Sequence, residues 1–461
     1  MIEVAAFANQ PVAVLGLARS GLTAAVALQA GGAEVLAWDD FEAGRQAAAA
    51  KGLKLTELSG RDWTKIEALV LSPGIPHTFP KPHPVAAEAI AAGCAIVCDI
   101  DLLARAVPDA KYVGITGTNG KSTTTALVGH ILKRAGRAAE IGGNIGVPVL
   151  DLARLNADGT YVLELSSYQL ERIPSVALDV AVLLNITPDH LDRHGSMAGY
   201  IAAKRQIFDQ TAEKATAILS LDDPNSRGMV MELMIANRHR IVPISVSARA
   251  AGGVFVDGHM LIDDMDRKAV KALDLKTLPT LMGRHNWQNA CAAYAVGRAL
   301  GLEIDVIAAA MVDFPGLAHR QEKLRDIGKV AYINDSKATN TDSAAQALAT
   351  YERIYWLAGG QFKEENLGTL VPLLPRVHEA FLFGESTPKF ASWLKGQVLV
   401  TECVNMEDAL QRAHATAQKA PDGGIVLLSP ACASFDQFRD FEHRGDEFRK
   451  AVAALPAQEA A

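Results

Sequence analysis

Residues 113–127 read VGITGTNGKSTTTAL. A β-branched run gives way to two glycines, an asparagine, a lysine and a cluster of hydroxyl side chains. The chemistry this pattern suits is the holding of a phosphate chain. Gly117 and Gly120 permit a tight turn whose backbone N–H groups point at an anion. A helix from Thr123 onward adds the positive end of its dipole. Lys121 can reach terminal phosphates, and the Ser122 hydroxyl can ligate Mg²⁺. The run Gly117, Thr118, Asn119, Gly120, Lys121, Ser122 and Thr123 is therefore the candidate phosphate-binding loop. It departs from the general pattern at Ile115, where a glycine is usual; Gly114 and Gly117 flank that position.

A second set of polar groups follows apolar runs in the middle of the chain. Glu164 ends YVLEL, while Asn185, Asp189 and His190 follow VAVLL. Nucleotide-bound Mg²⁺ takes few protein oxygens and many phosphate oxygens and waters, which Ser122 and Glu164 satisfy. Taken alone, His190 reads equally as a surface residue, and Lys204 as a solvated helix lysine. Tyr200, Lys204 and Phe208 lie four apart and so share one helix face. GGNIG at 142–146 offers a backbone-rich turn and the Asn144 amide.

The elements that must carry these groups form three successive βα regions, with polar residues at the carboxyl ends of strands. In the first, a strand from Pro11 opens into GLARSG, residues 16–21, then a helix to Ala30 and the strand AEVLAWDD. Ala18 replaces the middle glycine of a dinucleotide fingerprint, and Asp39 falls where a ribose-binding acid would. ALVLSPGI and CAIVCDI read as further strands. Pro108 and Asp109 suggest one boundary, Pro315 and Gly316 the next. Residues 244–280 read as a β-rich excursion with turns at 252–253 and 257–258. In the last region VAYINDS, RIYWLAGG, AFLFG and GIVLLSPACASFDQF are strands followed by polar or glycine turns.

The chain has 461 residues, 49% of them hydrophobic, which suits several full cores. Its net charge of −7 argues against a general nucleic-acid binder. The five cysteines lack C-x-x-C spacing and read as reduced thiols of a cytoplasmic protein. No signal peptide is evident, and the alanine-rich stretch 22–30 is too short to span a bilayer.

GTNGKS, GGNIG, ELSSYQL, NITPDHLDRH and the following Y-x-x-x-K, in this order, resemble the Mur ligases, ATP-dependent amide-bond ligases of peptidoglycan precursor synthesis. NDSKATN at 334–340 and LSPACASFDQF at 428–438 resemble the D-glutamate-adding branch. The resemblance implies an α/β fold of three domains. These are a Rossmann-like UDP-substrate-binding domain at 1–110, a central P-loop ATPase-like domain with a parallel sheet at 111–315, and a C-terminal Rossmann-like amino-acid-binding domain at 316–461. It implies ATP and Mg²⁺, with UDP-N-acetylmuramoyl-L-alanine and D-glutamate as substrates; the chain is expected to act as a monomer.

Residue by residue, the resemblance implies that Lys121, Glu164, His190 and Lys204 are catalytic. By the same resemblance Lys204 would be carbamylated and would hold Mg²⁺ with Ser122, Glu164 and His190. Carbamylation needs a neutral amine, hence a lowered pKa. Asn286 and Asn289 would face adenine, and Arg320 and Asp335 the phosphates and ribose. Arg19, Ser20, Ser72, Gly74, Asn144 and His190 would hold the UDP-linked substrate. Asp40 and Phe41 stand where some members carry a Thr-Arg pair on uracil, and are the candidates for an accepting carboxylate and a stacking ring. Lys337, Thr339, Lys363, Ser434 and Phe441 match the D-glutamate site, where two lysines suit a substrate with two carboxylates.

Three rivals stand beside this reading. One is a Mur ligase for another amino acid, against which NDSKATN and LSPACAS speak. Another is a nicotinamide dehydrogenase drawn from GLARSG and Asp39, which leaves the phosphate loop unexplained. The third is a nucleotide switch, for which no N-K-x-D signature is present.

Overall fold

A computed structural model describes residues 1–456. The chain divides into two compact units: Met1–Thr277 with Trp287–Asp313, and Leu278–Asn286 with the chain from Phe314 onward.

The first unit holds two sheets. The smaller comprises β1 (Pro11–Leu15), β2 (Glu34–Trp38), β3 (Ala68–Leu71) and β4 (Ala95–Val97). Its order is β2-β1-β3-β4 and every pairing is parallel. CAIVCDI thus gives a shorter strand than its composition suggests, because Cys98 caps a helix, Asp99–Ala106. The larger sheet comprises β5 (Lys111–Thr116), β6 (Ala139–Gly143), β7 (Thr160–Glu164), β8 (Leu178–Leu183), β9 (Thr211–Ser220), β10 (Arg240–Ser245), β11 (Val254–Asp257), β12 (Met260–Asp263) and β13 (Val270–Asp274). Its order is β13-β12-β11-β10-β9-β8-β5-β7-β6. Pairing is parallel from β6 to β11, and the excursion at 244–280 supplies the antiparallel pairs of β12 and β13.

β5 is the strand that matters most. Residues 112–116 are buried on both faces, as expected of a central parallel strand covered by helices. It pairs with β7 on one side and β8 on the other, with Ile115 opposite Glu164 and Thr116 opposite Leu183. The three strands therefore end at one level. Such a point, where the chain connections diverge to either side, opens a crevice for ligands.

The second unit holds β14 (Glu322–Ile327), β15 (Val330–Asn334), β16 (Ile354–Gly359), β17 (Val377–Phe383), β18 (Leu399–Glu402) and β19 (Gly424–Leu428) in the order β14-β15-β19-β16-β17-β18. Only β14 is antiparallel. It arises from residues just past the Pro315–Gly316 break, where the sequence suggests only a boundary.

Candidate active site

Gly120 takes a left-handed φ of 87° and caps the helix Lys121–Arg134. The helix therefore begins two residues before the predicted Thr123. A Cβ on Gly120 would lie 2.2 Å from Asn289 Oδ1, so glycine is required by space as well as by φ. Asn289 is itself buried. The loop is pinned by Asn185. Its carbonyl accepts Thr118 N–H at 2.9 Å, its Oδ1 accepts Asn119 N–H at 2.9 Å, and its Nδ2 donates to Asn119 O at 3.1 Å. Asn185 Nδ2 also donates to Gln288 Oε1 at 3.0 Å, and Gln288 Nε2 donates to Ser220 Oγ and Asp222 Oδ2. Sequence reasoning found Asn185 but not Gln288, whose partners lie far along the chain.

Two lysines meet at this loop. Lys121 Nζ donates to Gly117 O at 3.0 Å and Thr118 O at 2.8 Å. Lys204 Nζ donates to the same Gly117 O at 2.8 Å and lies 4.7 Å from the Tyr200 ring centroid. Lys204 is 2% exposed, so the solvated-lysine reading fails. Tyr200 and Phe208 are buried with it, although Phe208 sits in a 3₁₀ turn beyond the helix Met197–Arg205. Burial drives the Lys204 amine well below its ordinary 10.5, and the neighbouring Lys121 charge adds to this; Asp189 and Glu164 oppose it less.

Glu164 is buried at the end of β7. Its Oε1 accepts Asn144 Nδ2 at 3.1 Å, while its buried Oε2 has no hydrogen-bond partner. The GGNIG turn is built onto the same residue. Asn144 N–H donates to Glu164 O at 2.9 Å, and a Cβ on Gly143, at φ 94°, would lie 2.2 Å from that oxygen. A buried carboxylate oxygen without a donor costs stability unless a cation takes it. That orphaned oxygen and the Ser122 hydroxyl at a helix N-terminus are hard oxygen donors that fit Mg²⁺ with nucleotide. His190 has φ 50°, is half exposed, and lies 3.4 Å from Asp189 Oδ2 and 5.3 Å from the Tyr168 ring. Among the described residues no three His, Cys, Asp or Glu side chains gather as a metal group. The predicted set contains only one glutamate and one histidine of that kind, so it leaves no such signature.

On the smaller sheet, Ser72 Oγ donates to Gly16 O at 2.8 Å, joining the turns after β1 and β3. Arg19 Nη2 donates to Gly146 O at 3.0 Å. Ser20 hydrogen-bonds the buried Asp99, whose carboxyl burial pushes up to about 6. Gly74 O accepts Arg193 Nη1 at 3.2 Å. Asp40 meets His83 Nε2 at 2.9 Å, and Phe41 is 79% exposed. Asp39 is buried, its carboxylate accepting Leu17 N–H and, at 2.8 Å, Phe41 N–H. It braces the turn and is not presented to a ribose, so the dehydrogenase reading loses its acid.

Two imidazoles escaped the sequence reading of roles. His194 Nε2 lies 2.8 Å from Ser167 Oγ, its ring stacked 5.4 Å from Tyr168. His77 Nδ1 accepts from Arg172 at 2.9 Å. Burial pushes both down to about 4, helped by Arg172 and Arg193 at His77 and by His190 and Lys204 at His194. Between about 4 and the ordinary 6.5 the unfolded chain binds these protons and the folded one does not. Stability is therefore full above 6.5 and falls with pH through that window, by at most about 1.4 kcal/mol per pH unit for each imidazole. Urea unfolding from pH 7.5 to 4.5 should show this slope, and His77→Asn should flatten it. An unchanged slope in that variant would reject the assignment for His77.

In the second unit, β15, β16 and β19 end together, with Asn334 and Leu357 both opposite Leu428. Their loops carry Lys337, Lys363 and Ser434. Lys337 Nζ lies 3.7 Å from the Phe441 ring centroid, and Lys363 Nζ 5.8 Å from that of Phe435. Ser434 is buried and Thr339 half-buried. The unpredicted Arg444 ties the loops together: fully buried, it donates to Ser336 Oγ at 2.9 Å, Ser336 O at 2.7 Å and Cys432 O at 3.1 Å. Asp335 is buried, accepts Ser429 Oγ at 2.8 Å and Gln321 N–H at 3.1 Å, and is pushed up by burial to about 7, Arg320 opposing. Asn286 Nδ2 donates to Met282 O at 2.9 Å.

Comparisons with known proteins agree with this architecture. Residues 115–297 match the Mur ligase middle domain, and residues 319–432 the Mur ligase glutamate ligase domain. UDP-N-acetylmuramoylalanine–D-glutamate ligase from Phenylobacterium zucineum is 50% identical, covering 99% of this chain and 98% of that protein. The protein of the same name from Paramagnetospirillum magneticum is also 50% identical, covering 99% of each. Among solved structures, UDP-N-acetylmuramate-alanine ligase from Thermotoga maritima shares the fold at TM-score 0.57 and 17% identity, covering 97% of this chain and all of that one. A MurF ligase from the same organism, in complex with ADP, matches at TM-score 0.55 and 19% identity, covering 85% and 99%. The chain belongs to the Mur ligase family.

Proposed function

We propose that the chain joins D-glutamate to UDP-N-acetylmuramoyl-L-alanine at the expense of ATP, a step of peptidoglycan precursor synthesis in the cytoplasm. The convergence of Lys121 and the buried Lys204 on one carbonyl of the phosphate loop, beside the orphaned Glu164 oxygen, carries the reading. Full-length relatives at 50% identity supply the substrate class. Among the described residues no helix is long and apolar enough to cross a membrane. We assign the UDP-linked substrate to residues 1–110, ATP to 111–315 and D-glutamate to 316–461, working as a monomer.

The substrate carboxylate attacks the γ-phosphorus of ATP, the bond to the ADP oxygen breaks, and an acyl phosphate forms. The amine of D-glutamate then attacks the acyl carbon, and phosphate leaves with the amide made. The loop amides and Lys121 bear the charge that develops on the transferring group. Ser122, Glu164, His190 and a carbamylated Lys204 would hold Mg²⁺, which neutralises phosphate oxygens when bound. Asn144 donates to Glu164 Oε1 and is assigned to the UDP-linked substrate. Asn286, Asn289, Arg320 and Asp335 are assigned to the nucleotide. Exclusion of water protects the acyl phosphate from hydrolysis.

Phosphate release with ATP, UDP-N-acetylmuramoyl-L-alanine and D-glutamate, omitting each in turn, tests the reading; release that ignores D-glutamate, or prefers L-alanine or a diamino acid, rejects it. Lys337→Ala and Ser434→Ala should raise the KM for D-glutamate about tenfold or more, since charge-assisted contacts to its carboxylates are lost, with ATP affinity of the free enzyme little changed. Loss of ATP binding with D-glutamate affinity kept would overturn this division of labour.

A further inference from the structure

Arg172 is 1% exposed although it carries a charge. Its guanidinium fills the carbonyl side of the loop after β3. Nη1 donates to Ser72 O at 3.1 Å and Leu71 O at 3.4 Å, Nη2 to Ile75 O at 2.8 Å, and Nε and Nη2 to His77 Nδ1 at 3.2 and 2.9 Å. Its own carbonyl accepts Cys98 N–H at 3.0 Å, so it also fixes the end of β4. Arg193 takes a further carbonyl of the loop, Gly74 O, while its guanidinium lies 4.5 Å from the Tyr168 ring.

Among the described residues no carboxylate forms an ion pair with Arg172. Its neighbour Glu171 faces His77 and His194 at 3.8 Å each. Glu171 acts on the guanidinium only through space, and its direct partners are carbonyls and an imidazole, so burying this charge is costly. The loop it fills is the one bearing Ser72 and Gly74. Through Ser72 Oγ on Gly16 O, the same guanidinium also braces the turn after β1. A positive charge held on the carbonyls of the loop that bears Ser72 and Gly74 is complementary to a diphosphate bound on that loop.

We propose that Arg172 is a positioning residue for the diphosphate of the UDP-linked substrate. It sets the geometry of the Ser72–Gly74 turn and supplies the buried positive field under it, with Arg193 as its second support. The inference rests on the proposed function, which puts that substrate on these turns. Arg172 N–H also donates to Gln169 O at 2.8 Å, tying the loop after β3 to the helix Ser167–Leu170 that follows β7.

The test uses the full chain and the probes UDP, uridine and UDP-N-acetylmuramoyl-L-alanine. Arg172→Met should raise the KM for the UDP-linked substrate by about tenfold or more, as expected for losing charge-assisted support of an anion site. The KM for ATP and for D-glutamate should stay within about threefold. By calorimetry, the preference for UDP over uridine should shrink by a similar factor; a purely structural role would weaken both ligands equally. Arg172→Lys, which keeps the charge and loses the fork, should restore part of that preference. Arg193→Gln, a half-buried site with a single loop contact, should move the same KM in the same direction by a few-fold and guards against misfolding of the first variant. An unchanged UDP-to-uridine preference in a folded Arg172→Met, or a uniform rise in all three KM values, overturns the inference. Wild-type protein that binds UDP but releases no phosphate with D-glutamate rejects the proposed function while the Arg172 comparison still stands.

Discussion

Lys121→Ala should lower kcat on the order of 10²-fold or more, with a smaller change in the KM for ATP. Lys121 sits at the first position of the helix Lys121–Arg134, directly after the left-handed Gly120. Its ammonium now folds back onto Gly117 O and Thr118 O. Those are weak neutral acceptors, which a triphosphate outcompetes. Charge on the phosphoryl group redistributes as the bond to ADP breaks, so the loss falls mainly on kcat. Lys121→Arg keeps the charge but cannot present a compact ammonium within so tight a loop, and should recover little. Steady-state kinetics with ATP varied would decide. Near-normal turnover in Lys121→Ala would overturn the phosphate-loop assignment for this residue.

The phosphate loop was legible because its information is local: two glycines, a lysine and a serine within six residues, after a β-branched run. Its helix start was misjudged by two residues because Gly120, not a side-chain cap, begins the helix, and glycine at an N-cap carries little signal. Lys204 was half legible. The four-residue spacing of Tyr200, Lys204 and Phe208 gave a shared face, and the structure turns that face inward. Arg172, Arg444 and Gln288 were not legible. The two arginines spend most of their donors on backbone carbonyls, which have no sequence signature, and those of Ser72 and Ser336 lie about a hundred residues away. Asp39 shows the converse error: an acid at ligand-like spacing serves as a brace for its own turn. In both directions the sequence reports residue type and spacing, while burial decides what a charged group is for.

Lys204→Ala should nearly abolish turnover, and the reason is distinct from that for Lys121. A surface lysine would tolerate alanine with little effect. Lys204 is buried, and its amine is driven toward neutrality by burial and by Lys121. A neutral amine can attack the carbon of CO₂ and release a proton, giving a carbamate. That replaces a neutral buried amine beside Lys121 with an anion, which both Lys121 and Mg²⁺ would favour. The orphaned Oε2 of Glu164 supplies a second anionic oxygen for the same cation. Two readouts separate this from simple loss of packing. Wild-type protein equilibrated with carbon-13 bicarbonate should show a protein-bound carbamate signal that Lys204→Ala lacks. Short-chain carboxylic acids should partly restore Lys204→Ala, because they replace a carboxylate-like group, and should not restore Lys121→Ala, whose missing group is a cation. Full activity of Lys204→Ala in CO₂-depleted buffer, or wild-type protein with no carbamate signal at saturating bicarbonate, would remove the carbamate from the mechanism and leave Lys204 as a buried donor to the Gly117 carbonyl.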